Sequence, residues 1–426
     1  MAKKPLAQIK NALEKGRKSK ETKTLVSNFG YLTLLQVAGY LFPLITMPYL
    51  ARTIGAVGFG KIAFASATVM WFNSITTWGF DYTATRDVAR NREDLGKVSE
   101  IFSNIIWARA FLSLVSLAIL CILIAFIPKF NENAAVLLVT FLLVPGHVLF
   151  PEWLFQAMER MKYITILSLL SKFFFTIAVF VFIHKPSDYI LQPLFISFGF
   201  LLSGIIAFYF IIVRWKIRLL KPSFSRIIQT IKNGADVFIN SFMPNLYNSF
   251  SVVLLGAFHG EVANGILSAG EKCIGICHQF MNVLSRTFFP FLSRHSGKHH
   301  IYAKLSISIA AVFSLVIFLF SPLLIHIFFT EEFDAAIGLS RLMAFSLLFM
   351  TISNVYGTNF LILRGYERQL RNITFVLSIV GFLMAIPLIH FYSYWGAAIT
   401  ITLTRGLIAI TAMLYAKRID RNTLKE

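Results

Sequence analysis

The sequence predicts an all-α integral membrane protein with about twelve transmembrane helices in two pseudo-symmetric six-helix lobes around a central cavity. Three observations lead to this fold class. Of the 426 residues, 57% are hydrophobic and only 14% are charged, which is too apolar a balance for a water-exposed surface. Apolar segments long enough to cross a bilayer recur from Leu25 to Ala416. The second half of the chain also resembles a diverged copy of the first.

The internal repeat is organised around residues 35–67. Four pairs coincide when the chain is read 205 residues further on: Asn28 with Asn233, Gly55 with Gly260, Val57 with Val262, and Gly60 with Gly265. Deeper in each half, the segment ERMKYIT from Glu159 corresponds to ERQLRNIT from Glu367. Weak internal symmetry is typical of transporters, which place the substrate path between their repeats. We therefore expect such a path between the two lobes.

The first two spans carry polar residues that should face the interior. Span 1 covers residues 25–50 and contains Gln36 and two prolines, and such backbone breaks are tolerated in mid-membrane only against protein or a cavity. Span 2 runs from the glycine-rich turn at 55–60 to Phe80. It places three polar side chains on one helical face: Ser66, Asn73 and Thr77.

Ten further spans follow by hydropathy and length. They are expected over 100–127, 134–157, 163–183, 190–213, 234–256, 262–292, 305–329, 337–363, 372–389 and 394–416. The resulting domain organisation is a basic N-terminal segment (1–24), an N-lobe of six spans (25–213), a basic linker (214–232), a C-lobe of six spans (233–416) and a C-terminal tail (417–426). The N-terminal segment is interpreted as an amphipathic helix on anionic lipid or as a solvated tail.

Charge predicts the orientation of the protein. The termini and alternate connections hold 30 of the 40 Lys and Arg residues, whereas the opposite connections hold 4. By the positive-inside rule, both termini of this multi-pass protein are expected to be cytoplasmic. The connections on the other side are all short. They leave no room for an external catalytic domain.

Composition argues against several other classes. The formal net charge is +20, but no compact basic domain with groove-reading elements is apparent, so we expect no nucleic acid partner. The three cysteines lie in apolar segments and form no typical zinc or disulfide pattern: Cys121, Cys273 and Cys277. We expect no cofactor, no metal and no catalytic residue.

Basic residues inside the predicted spans are the candidate substrate site. Each would cost about 2.5–3.5 kcal/mol at a helix centre, so charges this numerous should face water, a partner or a substrate. The set comprises Arg109, Lys172, Lys272, Arg286, Arg341 and Arg405, with Arg52 at the outer end of span 1. A cavity with this excess of positive charge would attract an anion. For Arg52 and Arg341, near the membrane boundary, snorkelling to lipid headgroups is an equal alternative.

Polar stripes on spans 7 and 8 extend the candidate cavity lining. Lys272, Gln279 and Arg286 recur every seven residues along span 8. Span 7 offers Ser241, Asn245 and Asn248 at similar spacing. Cations beside amides and hydroxyls suit a ligand with both phosphate and sugar hydroxyls. The alternative is that the uncharged residues only hold helices together, as polar side chains do in membranes.

Three acidic residues lie near these cations: Glu152, Asp236 and Glu271. A carboxylate inside the membrane can bind a proton or a sodium ion, so these residues are candidates for ion coupling. A structural cap or ion pair is an equally good interpretation for Glu152.

Three segments of the first 165 residues identify a family. LFPLITMPYLARTIGAVGFGKIAFASA (41–67), WGFDYTATRDVAR (78–90) and PEWLFQAMERMKYIT (151–165) resemble the polysaccharide, or O-antigen type, flippases of the multidrug/oligosaccharidyl-lipid/polysaccharide exporter superfamily. Only Arg52 and Arg86 are carried over from its motifs, and Arg86 is interpreted as structural at the membrane face. Asp81 stands where the motif is expected to have asparagine or another polar residue, and it is assigned no special role.

The resemblance implies alternating access and movement of undecaprenyl-pyrophosphate-linked oligosaccharide from the inner to the outer leaflet of the bacterial cytoplasmic (inner) membrane, for O-antigen or other surface polysaccharide biosynthesis. The implied partners are that substrate, membrane lipid, a polysaccharide polymerase and a chain-length regulator. One alternative is a cation-coupled drug antiporter of the same fold, for which fewer buried cations and more acidic residues would be expected. Another is a membrane enzyme such as a polymerase or a glycosyltransferase, which usually needs acidic groups on a sizeable external loop.

Overall fold

A computed structural model describes the backbone of residues 4–294 and 296–423. Within those ranges, the description leaves out the side chains of 4–26, 28–29, 32, 40, 82, 236–237, 240–241, 286–287, 289–291, 293–294, 296 and 421–423. The described backbone is almost entirely helical and contains no strand. The predicted all-α class is confirmed.

Fourteen α-helices form the described chain. Those of the first half are α1 (Lys4–Thr77), α2 (Phe80–Arg90), α3 (Leu95–Phe126), α4 (Pro128–Glu132), α5 (Ala134–Phe141), α6 (Leu143–Leu149), α7 (Glu152–Ala157), α8 (Met161–Phe182) and α9 (Leu191–Tyr209). Those of the second half are α10 (Phe224–Phe242), α11 (Ser249–Arg294), α12 (His299–Phe328), α13 (Ala335–Ile352) and α14 (Glu367–Thr423). Short 3₁₀ turns occur at Pro186–Ile190, Met243–Leu246, Ser296–Lys298 and Glu331–Phe333, and π-helical turns at Phe210–Arg214 and Ser353–Ile362.

Nine helical stretches among the described residues are long and apolar enough to cross a membrane. Three of them exceed 40 residues: Thr33–Thr77, Met243–Ser285 and Glu367–Asp420. Each of these three has a residue with non-helical backbone angles inside it, namely Gly55, Gly260 or Ser393. Because one crossing needs about 20 residues, each long stretch holds two crossings. Six single and three double crossings give the twelve expected.

The backbone repeats between the two halves. Gly55 (φ 65°, ψ −177°) and Gly260 (φ 81°, ψ −171°) adopt the same conformation, which glycine tolerates best, at the 205-residue offset seen in the sequence. Glu159 and Gly365 both have positive φ. The amide after each donates to a carbonyl five residues earlier at 2.8 Å, which is a Schellman turn. In the structure, Glu159 therefore corresponds to Gly365. The correspondence drawn from sequence between Glu159 and Glu367 was two residues out of register, because the two halves share the turn but not its side chains.

The predicted linker at 214–232 is partly helical. Helix α10 begins at Phe224, so the non-helical connection is 215–223. The difference arises because Ile227 and Ile231, one helical turn apart, pack into the hydrophobic cluster of the first half. The segment is amphipathic, and the lysine and arginine on its polar face led to its interpretation from sequence as a solvated connection.

The halves touch at the end that carries Gly55 and Gly260, called the Gly55 end. A Cβ at Gly60 would overlap the carbonyl of Glu261, and one at Gly265 would overlap the carbonyl of Ala56. These two contacts are equivalent under the 205-residue offset. Only glycine allows backbones to approach this closely.

Charged groups reinforce the Gly55 end. Lys129 Nζ lies 2.6 Å from Glu261 Oε1 of the other half, and the amide of Ala56 donates to Glu332 Oε2 at 3.0 Å. Burial lowers the pKa of Lys129, but hydrogen bonds to Glu261 and Glu132 raise it above its ordinary value overall. The lysine therefore remains charged and keeps this contact between the halves.

Candidate functional site

Three connected cavities lie between the halves and inside the second half. Cavity A, of about 470 Å³, lies between both segments of α1 and α11. Cavity B, of about 460 Å³, is lined by the first segment of α1, by α11 and by Arg405. Cavity C, of about 210 Å³, is lined by α11, α14 and the two distorted turns at 243–246 and 353–362. A and B share Ser268, Glu271 and Lys272, and B and C share His278, Met350 and Arg405.

Lys272 lies at the junction of cavities A and B. Its side chain is exposed although it lies on a transmembrane helix. Among the described side chains, none forms an ion pair or hydrogen bond with it; its sequence neighbour Glu271 is bonded to Arg405. Lys272 therefore supplies a positive charge to both cavities that no described ion pair neutralises.

Arg405 forms a different kind of site. Its guanidinium donates to Glu271 Oε1 at 2.9 Å, to Asn248 Oδ1 at 2.9 Å and to Ser346 Oγ at 2.6 Å. The residue is only 9% exposed. A buried arginine with a carboxylate partner and two neutral acceptors is held in one orientation and is largely neutralised. Glu271, a candidate for ion coupling, therefore forms a structural ion pair in this conformation.

The predicted uncharged residues are distributed over several contacts. Gln279 lines cavity B beside Lys272, so the two described members of the seven-residue stripe share one wall. Gln36 Nε2 approaches Gln279 Oε1 at 3.4 Å across the halves. Asn245 Nδ2 donates to Ser74 Oγ at 2.9 Å, and Asn248 lines cavities A and C. The stripe predicted on span 7 is interrupted, because Pro244 lies in a 3₁₀ turn between α10 and α11.

Some predicted site residues lie elsewhere. Arg52 is exposed and lines none of these cavities. Arg341 is also exposed, donates to Ser321 at 3.1 Å, lies over the Phe318 ring and lines none of these cavities. Both positions favour the snorkelling alternative. Lys172 is partly buried, and its Nζ points toward Gly39, which lines cavity B. The side chains of Arg286, Ser241 and Asp236 lie outside the described residues.

A separate polar cavity lies within the first half. Cavity D, of about 410 Å³, is lined by Asn73, Asp81, Arg109, His147 and Glu152 together with apolar and hydroxyl side chains. Arg109 is 4% exposed, and its Nη2 donates to Asp81 Oδ1 at 2.8 Å. Asp81, to which sequence gave no role, is thus the acidic partner of a buried cation. The signal that could have found it is a carboxylate close in sequence to a transmembrane arginine with no other obvious partner.

The Asp81–Arg109 pair should contribute measurably to stability. We expect Asp81→Ala to destabilise the protein by about 1–3 kcal/mol, because it leaves the buried guanidinium of Arg109 without its carboxylate partner. The expected cost is reduced because the Asp81 side chain is 49% exposed. Asp87→Ala is the matched control on the same helix, because its ion pair with Arg86 is exposed at both ends. Thermal unfolding of the solubilised protein measures both. Equal melting temperatures for the two variants would contradict this role of Asp81.

Comparison with known proteins decides the family. The family model described as "Polysaccharide biosynthesis protein" matches residues 25–296, which is more than half of the chain. The chain belongs to this family. Two curated members named "Putative O-antigen transporter" are similar over nearly their whole length. That of Escherichia coli (strain K12) is 27% identical over 402 residues, covering 92% of this chain and 97% of the relative. That of Shigella dysenteriae is 26% identical over 388 residues, covering 90% and 98%.

Solved structures show that this member of the polysaccharide biosynthesis family has the fold of the MOP superfamily. The lipid II flippase MurJ, in an inward closed conformation, superposes with a TM-score of 0.64 at 14% identity, covering 92% of this chain and 87% of that one. An inward-facing multidrug resistance MATE family transporter has a TM-score of 0.58 at 16% identity, covering 93% and 99%. The two-lobe architecture expected from the sequence is confirmed. At these identities, the likeness concerns the fold alone.

Proposed function

We propose that this protein is a flippase that moves undecaprenyl-pyrophosphate-linked oligosaccharide repeat units from the inner to the outer leaflet of the cytoplasmic membrane, for O-antigen or other surface polysaccharide biosynthesis. The observation that carries the proposal is Lys272, a basic side chain that lines cavities A and B and forms no ion pair or hydrogen bond with any described side chain. Membership of the polysaccharide biosynthesis family supports it. So do relatives named as O-antigen transporters.

The electrostatics of cavities A and B suit a pyrophosphate group. A positive charge in a cavity with low-dielectric walls attracts an anion more strongly than the same charge at a surface. The apolar residues that the helices expose outward, such as Leu34, Val37 and Leu41 on α1, match lipid. The charged head of the substrate therefore enters the cavity while the polyprenyl tail stays among the lipids. No covalent chemistry is needed.

Transport requires the substrate cavity to open alternately to each side. In the proposed cycle, the contact at the Gly55 end is the outer gate, and both termini are cytoplasmic. The reciprocal approach of Gly60 and Gly265 to the opposite half supports a contact that closes by shape complementarity and can separate without breaking covalent or secondary structure. A polysaccharide polymerase and a chain-length regulator are the proposed partners on the product side.

The test is reconstitution of the purified full-length protein in lipid vesicles with a labelled polyprenyl-pyrophosphate oligosaccharide. We expect the label to become accessible on the opposite face at a rate well above that of protein-free vesicles. The alternative is a cation-coupled drug antiporter. A label that stays on one face, together with exchange of a cationic dye against a proton or sodium gradient, would replace the flippase with that antiporter.

A further inference from the structure

Cavity C differs in chemistry from the two cavities that precede it. Its charged residue among the described lining side chains is Arg405, whose charge is balanced by Glu271 at 2.9 Å. The free cation Lys272 lines cavities A and B but not C. A pyrophosphate is therefore stabilised in A and B, whereas cavity C suits an uncharged group.

The lining of cavity C combines hydrogen-bonding and apolar surfaces. Amide, hydroxyl and imidazole groups come from Asn248, Asn354, Ser353, Tyr247 and His278, and apolar surface comes from Pro244, Met350 and Ile408. A sugar ring has hydroxyl groups at its edge and C–H groups on its faces, so it needs both kinds of surface. Small-ligand sites have this composition, with a few polar groups placed on a largely apolar wall.

The polar groups of cavity C are held in place before any ligand arrives. Asn354 Nδ2 donates to Asn282 Oδ1 at 2.8 Å, and Asn248 Nδ2 donates to the carbonyl of Pro244 at 2.9 Å. With both amides oriented by the protein, less entropy is lost on binding, and a ligand with the wrong hydroxyl pattern leaves a polar group unpaired. Such groups discriminate between ligands.

Two departures from α-helical geometry meet at this cavity. Pro244 lies in the 3₁₀ turn Met243–Leu246, and Ser353 and Asn354 begin the π-helical turn Ser353–Ile362. Irregular backbone is tolerated at membrane depth where it lines a cavity or is buried in protein. π-Helical turns are frequent at functional sites because they expose backbone and re-aim side chains. The distortions on both walls are independent evidence that this cavity binds a ligand.

We propose that cavity C is a sugar subsite, which binds one uncharged monosaccharide residue next to the pyrophosphate of the substrate and selects for its identity. This assignment rests on the proposed flippase function. Its volume of about 210 Å³, under half that of cavity A, suits one ring rather than a whole repeat unit. Continuity with cavity B through His278, Met350 and Arg405 places that ring within reach of a pyrophosphate at Lys272.

The experiment compares equilibrium binding of two probes to the full-length protein in nanodiscs: polyprenyl pyrophosphate, and the same lipid bearing one N-acetylhexosamine. We expect the glycosylated probe to bind about tenfold more tightly, or about 1.4 kcal/mol. Asn354→Leu and, separately, Ser353→Ala, which line cavity C but not A or B, should abolish this difference and leave the affinity for the sugar-free probe unchanged. Lys272→Ala should weaken both probes by the same factor.

Each other outcome is decisive. Equal affinities of the unaltered protein for the two probes would show that cavity C does not bind the sugar, while the flippase proposal would stand. Equal weakening of both probes by Asn354→Leu and Ser353→Ala would make these residues structural and overturn the subsite. If the unaltered protein binds neither probe, the flippase proposal falls and the subsite falls with it. A probe bearing a uronic acid should bind less tightly than the neutral one, because Arg405, the basic residue among the described lining side chains of cavity C, is already paired with Glu271.

Discussion

Lys272→Ala should abolish polysaccharide export while the protein remains inserted at normal levels. Lys272 lines cavities A and B and has no described ion pair, so its removal should weaken binding of the proposed anionic substrate without breaking an ion pair of the fold. A hydrogen bond to a charged group contributes about 1.5–3 kcal/mol, so affinity for a pyrophosphate should fall by about tenfold or more. Lys272→Arg should retain more activity, because attraction to pyrophosphate depends more on the positive charge of the side chain than on whether it is an ammonium or a forked guanidinium.

The measurement is complementation of a deletion strain, with surface polysaccharide and membrane protein quantified together. Arg341→Gln is the matched control, because it also removes an exposed basic residue from a transmembrane helix, but one that lines neither cavity A nor cavity B. We expect this control to export normally. Full complementation by Lys272→Ala would remove the observation on which the proposed function rests.

Gly60→Ala and Gly265→Ala should each prevent closure at the Gly55 end and stop export. A Cβ at either position meets a backbone carbonyl of the opposite half, Glu261 or Ala56, which cannot rotate away as a side chain would. Overpacking of this kind costs about 1–3 kcal/mol. At the gate proposed between the halves, a cost of this size would shift the balance of closed and open forms by roughly 5- to 150-fold.

Labelling of an introduced cysteine measures this shift. Ala63 lines cavity A, so a cysteine there, in a chain whose own three cysteines are replaced, should become accessible from the Gly55 side in either glycine variant. Gly30→Ala is the control in the same helix, since no atom of the described residues lies within 4 Å of a Cβ there. Unchanged labelling and unchanged export in Gly60→Ala would show that the Gly55 end is not a gate.

The sequence by itself determined the fold class and the number of crossings. Lipid offers no hydrogen bonds to the backbone, so a chain that crosses it must form apolar helices of a fixed minimum length, which hydropathy shows directly. The offset between Gly55 and Gly260 was also visible, because only glycine readily adopts their shared left-handed φ. The register of the second repeat was misread, since there the turn is conserved through different residues, Glu159 and Gly365.

Only the tertiary structure decided which of the buried charges are free. Arg405 pairs with Glu271, which is 134 residues away in the sequence. Arg109 pairs with Asp81, to which the sequence analysis had assigned no special role. Lys272 is left without a described partner although Glu271 precedes it. Adjacent residues on a helix point about 100° apart and do not face each other, so sequence proximity could not distinguish the paired charge from the free one. That distinction depends on which helix packs opposite each face, and it separates Lys272 from Arg109 and Arg405.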